Sequence, residues 1–281
     1  MAGSASVAEN IKTRPLSPAI GAEIIGVDLS QPTDAETKQK MLDIWHDNLV
    51  ILIRDQNLDE DSHVRFADNF GEPAKVSSGR AFSKKHPSVM LISNIRENGE
   101  VIGALPDGEM HFHTDQCHQQ RPAKATILYA MEVPKEGGDT LFSNAYLAYE
   151  TLPAEIKSKI DGKRALNAYV KDSTLRSDGY ENGASSWHPI VRTHPVTKRK
   201  ALYVNRLMTR EIEGMSKAES EEILNFLFDH QEQDKFVYGH KWRPGDVLMW
   251  DNRCSLHART DFSAAERRLM RRVTILGEVP E

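Results

Sequence analysis

Residues 106–116 read PDGEMHFHTDQ, a turn followed by a segment in which apolar and polar side chains alternate. Side chains two positions apart on a β-strand point to the same side of the sheet. One face of this segment therefore carries two imidazoles and two carboxylates, from Glu109, His111, His113 and Asp115. So dense a polar face is unusual in a protein interior unless something coordinates it. His113 and Asp115 can reach a single metal ion from one strand, although the pattern also suits an exposed polar edge.

Around this segment the chain consists mostly of short, extended stretches separated by turns. The stretches with strand patterns are 22–30, 50–55, 89–93, 125–133, 139–144, 201–205, 246–250 and 271–276. Helical periodicity appears in 34–48, 59–70, 146–160 and after Ser216, where Ser216 and Glu219 form a capping box. This pattern predicts a mainly β fold with peripheral helices, either an antiparallel barrel or a jelly roll.

The length of 281 residues suits one large domain or two small ones. Because the sequence contains no internal repeat and no long linker-like tract, we expect a single domain over residues 1–281. Residues 157–188 are polar and weakly periodic, which predicts a long loop. Long loops in compact domains are often lids, and we expect this one to close over the site. A surface loop without a role is the alternative.

Charge and composition exclude several classes of protein. Lys and Arg number 36 against 41 Asp and Glu, a net charge of −5, which argues against a general nucleic-acid or anionic-membrane surface. No run of 18 or more apolar residues indicates a membrane span, and no secretory signal is visible. Cys117 and Cys254 are the two cysteines, so a disulfide framework is excluded and a reducing compartment fits. We therefore expect a cytoplasmic protein.

A second stretch, RPGDVLMWDNRCSLHART (243–260), contributes another candidate ligand, His257. With His113 and Asp115 it completes a set of two histidines and one carboxylate. Such a facial triad leaves open coordination positions and suits non-heme Fe(II) oxygenases. The same residues suit zinc, so a cupin-type isomerase or a zinc hydrolase is an alternative. A non-catalytic β-sandwich binding protein is a second alternative.

The stretch ERRLMRRVTILG (266–277) carries four arginines. As a strand it places Arg268 and Arg272 on one face, about 13 Å apart. A guanidinium can bind a carboxylate through two parallel hydrogen bonds. One arginine could therefore hold a dicarboxylate cosubstrate and the other an anionic substrate, whereas an Arg-rich edge strand that serves solubility is the alternative. Thr140, in GGDTLFSN (137–144), is a candidate binding residue only if it acts together with such an arginine.

These motifs, in the order HFHTD, GGDTLF, WDNRCSLH and ERRLMRRVTILG, resemble the taurine/2,4-dichlorophenoxyacetate dioxygenase family. Its members are Fe(II)- and 2-oxoglutarate-dependent oxygenases. The resemblance extends from GAEIIGVDLS (21–30) to the last strand. It implies a double-stranded β-helix, a jelly roll of two sheets that enclose the metal.

The resemblance also implies individual roles. The iron ligands of the family match His113, Asp115 and His257. Arg268, eleven positions after His257, matches the arginine that binds the distal carboxylate of 2-oxoglutarate, and Thr140 matches a second contact to that cosubstrate. Arg272 matches an arginine near the anionic head of the primary substrate. The implied reaction hydroxylates a small anion with O₂ and releases succinate and CO₂.

The chain departs from the taurine-specific pattern in GEPAKVSSGR (71–80). Taurine enzymes place a His and a Tyr in the matching stretch, and neither is present here. We therefore expect another small organic anion, such as an aryloxyalkanoate, an alkyl sulfonate or a sulfate ester. The resemblance further implies a homo-oligomer, a dimer or a tetramer.

Overall fold

The computed structural model describes residues 7–75, 81–104, 108–170, 173–176 and 183–281. The first nine strands are β1 (Lys12–Pro15), β2 (Ala22–Ile25), β3 (Val50–Ile53), β4 (Val89–Ser93), β5 (Arg96–Glu97), β6 (Glu100–Val101), β7 (Met110–His113), β8 (Ala123–Glu132) and β9 (Thr140–Asn144). They are followed by β10 (Arg164–Ala168), β11 (Ser185–Pro189), β12 (Val191–Thr193), β13 (Lys200–Leu202), β14 (Thr209–Ile212), β15 (Val237–His240), β16 (Val247–Asp251), β17 (Ser255–Arg259) and β18 (Leu269–Leu276).

The helices among the described residues are α1 (Val7–Asn10), α2 (Ala35–Asn48), α3 (Glu60–Asp68), α4 (Ala145–Glu150), α5 (Ala154–Ile160) and α6 (Lys217–Gln231), with a 3₁₀ turn at Asp234–Phe236. Within the described ranges, none of these helices combines the length and the apolar composition that crossing a bilayer requires.

Two sheets form the body of the fold. The larger has seven strands in the order β1-β2-β3-β16-β8-β18-β4, and the smaller has four in the order β15-β9-β17-β7. Neighbouring strands are antiparallel except β2 and β3, which run parallel. This arrangement confirms the predicted mainly β jelly roll with peripheral helices, as does the similarity to solved structures described below.

Alternating side chains of the central strands supply two separate cores. Ile127 of β8 and Met249 of β16 pack with Trp45 and Phe66 under helices α2 and α3. Leu128 and Leu248, the chain neighbours of those two residues, point to the opposite face of the sheet. There they pack with Phe142 and Trp250 in the second core. Because successive strand residues alternate in direction, β8 is buried on both faces, and the second face points toward the four-stranded sheet.

The predicted starts of α2, α3 and α6 are confirmed, and each of these helices is preceded by a polar side chain that caps it. Asp34 accepts a hydrogen bond from the backbone N–H of Thr37 at 2.7 Å, and α2 begins at the next residue. Asp59 does the same for α3. Ser216 and Glu219 form the predicted capping box of α6. Each cap satisfies a backbone N–H that has no partner within the helix.

Two expectations from the sequence were wrong. Residues 146–160 do not form one helix but the separate helices α4 and α5, because Pro153 has no N–H to donate and keeps the preceding residue out of the helical region. Residues 157–188 do not form one loop, since they contain the end of α5 and the strands β10 and β11, which pair with each other. The weak periodicity of these strands reflects half-burial on a small three-stranded sheet.

Candidate metal centre

The three predicted ligand residues meet at the junction of β7 and β17. These strands are antiparallel neighbours in the smaller sheet, and His113 lies directly opposite His257. Their ring centroids are 4.0 Å apart. Asp115 lies two residues beyond His113, with its Oδ2 3.7 Å from Nε2 of His257. One potential ligand atom from each residue lies within 4.8 Å of the others, and all three residues are buried.

The surroundings give this cluster the protonation states that a metal site requires. Burial lowers the pKa of His113 and lowers the pKa of His257 to about 3, the latter with help from neighbouring His113, so both rings are neutral at neutral pH. Burial alone would raise the pKa of Asp115, but its neighbours His257 and Arg272 hold that pKa well below its usual range. The cluster therefore presents two imidazole lone pairs and one carboxylate.

Hydrogen bonding also fits a divalent cation held between these side chains. Nδ1 of His113 lies 2.9 Å from the carbonyl oxygen of His111, which can only accept, so Nδ1 carries the proton and Nε2 is the ligand atom. Nδ1 of His257 is buried and has no hydrogen-bond partner among the described residues. Two neutral imidazoles and a carboxylate with open positions are the donor set of a non-heme Fe(II) site.

A cavity lies against the two histidines. Its lining consists of Ile92, Met110, His113, Leu128, Thr140, Trp250, His257, Ala258, Arg259, Arg268 and Arg272. The predicted cosubstrate and substrate residues are thus brought together with the histidines, although they come from two different strands, β9 and β18, or their ends. The wall between them is largely apolar.

Arg268 lies in this cavity with only 2% of its surface exposed. Nε and Nη1 of its guanidinium are buried and have no hydrogen-bond partner among the described residues. Burial, together with the charge of Arg259, lowers the pKa of Arg268 to about 9. A buried cation without an acceptor is costly, and an anion that entered the cavity would remove that cost.

Thr140 is oriented by Trp242, a residue that the sequence did not single out. The indole Nε1–H of Trp242 donates to Oγ1 of Thr140 at 2.9 Å. Because the hydroxyl already accepts this bond, its own proton is left to donate to a group in the cavity. No local sequence signal could have found Trp242, since it lies in a turn on the way to β16 and far along the chain from Thr140.

Arg272 also lines this cavity. Its Nη1 lies 3.6 Å from Oδ1 of Asp115, so its charge is beside the metal ligands. Asp115 has a second unpredicted neighbour, Thr126, whose hydroxyl donates to Oδ2 at 2.6 Å. Of the stretch 71–80, where taurine enzymes carry His and Tyr, residues 76–80 lie outside the described residues, as does the turn at Pro106-Asp107.

A second buried group of potential metal ligands comprises His194, Asp251 and Cys254. Here the carboxylate of Asp251 accepts from Nε and Nη2 of Arg253 at 2.8 and 2.6 Å. Nδ1 of His194 accepts from the backbone N–H of Thr197 at 3.0 Å, and Nε2 of His194 contacts Asp251 at 3.1 Å. The lone pairs of the histidine and the aspartate are therefore already in use.

Comparison with known proteins identifies the family. Residues 12–274 match the model of the family described as "Taurine catabolism dioxygenase TauD, TfdA family". The chain belongs to this family. It is a 2-oxoglutarate-dependent non-heme iron dioxygenase by class, which uses Fe(II), 2-oxoglutarate and O₂. The predicted resemblance and the predicted cofactors are thereby confirmed.

Individual relatives match over nearly the whole chain. Pentalenolactone F synthase of Streptomyces avermitilis is 31% identical over 95% of this chain and 94% of its own length. The alpha-ketoglutarate-dependent 2,4-dichlorophenoxyacetate dioxygenase of Cupriavidus pinatubonensis is 32% identical over 96% of this chain and 99% of its own length. The crystal structure of a taurine dioxygenase from Burkholderia xenovorans superimposes with a TM-score of 0.84 at 32% identity, covering 96% of this chain and 90% of that one.

Proposed function

We propose that this dioxygenase hydroxylates a small organic anion, with His113, Asp115 and His257 holding Fe(II). The proposal is carried by the burial of His113, Asp115 and His257 in one cluster whose two histidines face a cavity. The same cavity holds Arg268, and Nε and Nη1 of this arginine have no hydrogen-bond partner among the described residues. When bound, the iron supplies the oxidising chemistry that couples decarboxylation of 2-oxoglutarate by O₂ to hydroxylation of a C–H bond. The protein positions the reactants and excludes water.

Arg268 and Thr140 bind the distal carboxylate of 2-oxoglutarate in this proposal. Arg268 offers two buried N–H groups, and Thr140 offers a hydroxyl proton that Trp242 leaves free. Charge-assisted hydrogen bonds of this kind are roughly twice as strong as neutral ones. A zinc hydrolase or a cupin-type isomerase would have no use for such a pair, because neither reaction needs a dicarboxylate cosubstrate.

Arg272 binds the anionic group of the primary substrate near the metal end of the cavity. Arg268 lies immediately before β18 and Arg272 lies within it. An extended chain spans about 13 Å over four residues, so the two arginines can serve different anions. The cavity wall between them includes Ile92, Met110 and Leu128, which suit a substrate with an apolar body. An aryloxyalkanoate or an alkyl sulfonate meets both requirements, as does the substrate in the name of the 2,4-dichlorophenoxyacetate dioxygenase that the chain resembles.

The remaining expectations belong to the same proposal: one domain over residues 1–281, a cytoplasmic location, a homo-oligomer, and closure over the site by part of residues 157–188. The described piece 173–176 supports closure, because the backbone N–H of His111 donates to the carbonyl of Thr174 at 3.0 Å. The backbone N–H of Arg176 reaches Nδ1 of His111 at 3.2 Å. This piece therefore lies along the strand that carries His113.

The test is a substrate panel scored by succinate formation. Purified protein with Fe(II), 2-oxoglutarate and O₂ is offered carboxylates, aryloxyalkanoates, alkyl sulfonates and sulfate esters, with each reaction repeated without O₂. We expect at least one anion to accelerate succinate formation, and the oxygen-free reactions to form none. Failure of every anion to stimulate O₂ consumption, in protein shown to contain iron, would contradict the proposal and favour a binding protein.

A further inference from the structure

A series of buried hydrogen bonds that begins at Asn252 ends on the carboxylate of Asp115. The side-chain amide of Asn252 donates from Nδ2 to Oγ1 of Thr126 at 3.1 Å. The hydroxyl of Thr126 in turn donates to Oδ2 of Asp115 at 2.6 Å. Thr126 and Asn252 are both fully buried, with 0% of their surface exposed. Because Asn252 occupies the acceptor side of the hydroxyl, the single proton of Thr126 is directed at the carboxylate.

Asn252 is itself fixed at its other end. Its Oδ1 accepts from the indole Nε1–H of Trp250 at 3.0 Å and from the backbone N–H of Asp115 at 3.3 Å. Its backbone N–H donates to the carbonyl of Lys124 at 2.9 Å. One amide side chain therefore holds the backbone of Asp115 directly and its carboxylate through Thr126.

Asp115 needs such a constraint because it lies beyond the end of its strand. β7 ends at His113, so the sheet ladder does not fix the position of Asp115. The terminal torsion of an aspartate side chain has broad, roughly two-fold preferences, and the carboxylate plane turns easily. A carboxylate that turned to offer both oxygens would take a coordination position that the two-His, one-carboxylate site must leave open.

We propose that Thr126, supported by Asn252, is a positioning residue that locks the carboxylate of Asp115 in the orientation in which it binds the metal. The inference rests on the proposed function, since it assumes that Asp115 is a metal ligand. Oδ2 has two lone pairs, so it can accept the proton of Thr126 without leaving the cluster. Hydrogen-bond partners of metal ligands typically change metal affinity or activity by about 10- to 100-fold when they are removed.

The test measures metal binding by the apoprotein, independently of turnover. Apoprotein is titrated with Mn(II), and free Mn(II) is followed by electron paramagnetic resonance. Thr126→Val removes the hydroxyl but keeps the shape, and Thr126→Ser keeps the hydroxyl. Thr274→Val is the matched control, because Thr274 lies directly opposite Thr126 on β18. The unfolding temperature of each variant is measured in parallel, and Thr126→Ala replaces Thr126→Val if the latter does not fold.

We expect Thr126→Val to bind Mn(II) about 10- to 100-fold more weakly than the wild type. Thr126→Ser and Thr274→Val should bind close to wild type. In the anaerobic complex with Fe(II) and 2-oxoglutarate, the visible charge-transfer band should also shift in Thr126→Val and not in Thr274→Val.

Folded Thr126→Val with wild-type Mn(II) affinity would overturn the inference while leaving the proposed function standing. Equal weakening by Thr274→Val, or no rescue by serine, would also overturn it, because general packing would then explain the loss. A wild-type protein that takes up no Mn(II) would overturn both the inference and the proposed metal site.

Discussion

Two buried clusters of potential metal ligands occur among the described residues, and only one of the two is suited to bind a metal. We call His113, Asp115 and His257 the open cluster, and His194, Asp251 and Cys254 the closed cluster. In both, potential ligand atoms lie within 4.8 Å of one another. In the closed cluster Arg253 and backbone N–H groups occupy the lone pairs. In the open cluster Nδ1 of His257 has no partner among the described residues, and only one hydroxyl donates to the carboxylate.

The difference teaches that proximity of ligand residues does not make a metal site; their hydrogen-bond neighbours decide. A buried carboxylate paired with an arginine is a structural ion pair, and its removal leaves an uncompensated charge. A buried carboxylate beside neutral imidazoles, with a single hydroxyl donor, keeps lone pairs for a cation. Replacing the aspartate should therefore abolish activity in the open cluster and reduce stability in the closed cluster.

The largest effect is expected for Asp115→Ala. Substrate-dependent succinate formation should fall to the background level, because the metal loses its only carboxylate ligand. The fold should persist, since the nearest cation, Arg272, is 20% exposed and remains hydrated. Succinate assays and far-ultraviolet circular dichroism check the two statements. Full activity in a folded Asp115→Ala protein would rule out the ligand assignment.

Asp251→Asn should act in the opposite way. It leaves Arg253, which is 3% exposed, without its anionic partner. Breaking a buried pair by removing one partner costs about 3–5 kcal/mol of unfolding free energy. Urea unfolding measures the loss, and iron content should stay at that of the wild type in protein kept folded at low temperature.

The control for that loss is an exposed ion pair. Glu132→Gln breaks the ion pair between Glu132, whose side chain is 41% exposed, and Arg267, whose side chain is 63% exposed. This substitution should lower the free energy of unfolding by about 0–1 kcal/mol. Equal losses from Asp251→Asn and Glu132→Gln would show that the closed cluster is not a structural ion pair of the kind described.

Arg268→Met should raise the KM for 2-oxoglutarate by about 10- to 150-fold, the equivalent of the 1.5–3 kcal/mol of a charged hydrogen bond. The apoprotein should be no less stable than the wild type, because Nε and Nη1 of Arg268 are buried and have no acceptor among the described residues. Initial-rate kinetics give the KM. Arg267→Met is the matched control, since Arg267 is the adjacent arginine, is exposed and pairs with Glu132. An equal rise of the KM in that variant would refute the assignment of Arg268 to the 2-oxoglutarate site.

Thr140→Val should have the smallest effect. Loss of one hydroxyl donor corresponds to about 0.5–1.5 kcal/mol, or roughly a 2- to 13-fold rise in the KM for 2-oxoglutarate. Thr140→Ser should restore the wild-type value, because serine keeps the proton that Trp242 leaves free. A KM unchanged in Thr140→Val would remove Thr140 from the cosubstrate site.

Much of the fold follows from local patterns in the sequence. Strands such as β4 and β16 are visible as short apolar runs, and the starts of α2, α3 and α6 are visible from their caps, because both signals involve residues close along the chain. The break at Pro153 could also have been predicted, since proline interrupts helices whatever their apolar pattern. The strands β10 and β11 could not, because their half-buried side chains show little alternation.

The site likewise has residues that the sequence predicted and residues that it did not. The resemblance to a family pointed to its residues, and the structure brings His113, Thr140, His257, Arg268 and Arg272 to one cavity. Their hydrogen-bond partners could not be predicted, because Thr126 and Trp242 reach the site only through strand pairing between distant parts of the chain. The closed cluster could not be predicted either, since nothing in the sequence reveals that Arg253 donates hydrogen bonds to the carboxylate of Asp251.

The most direct test of the central claim is a crystal structure of the protein grown with Fe(II) and 2-oxoglutarate without oxygen, with data collected at the iron absorption edge. The account predicts one anomalous peak about 2 Å from ligand atoms of His113, Asp115 and His257, and none at the closed cluster. A peak among His194, Asp251 and Cys254, or no peak between the two histidines of the open cluster, would contradict it.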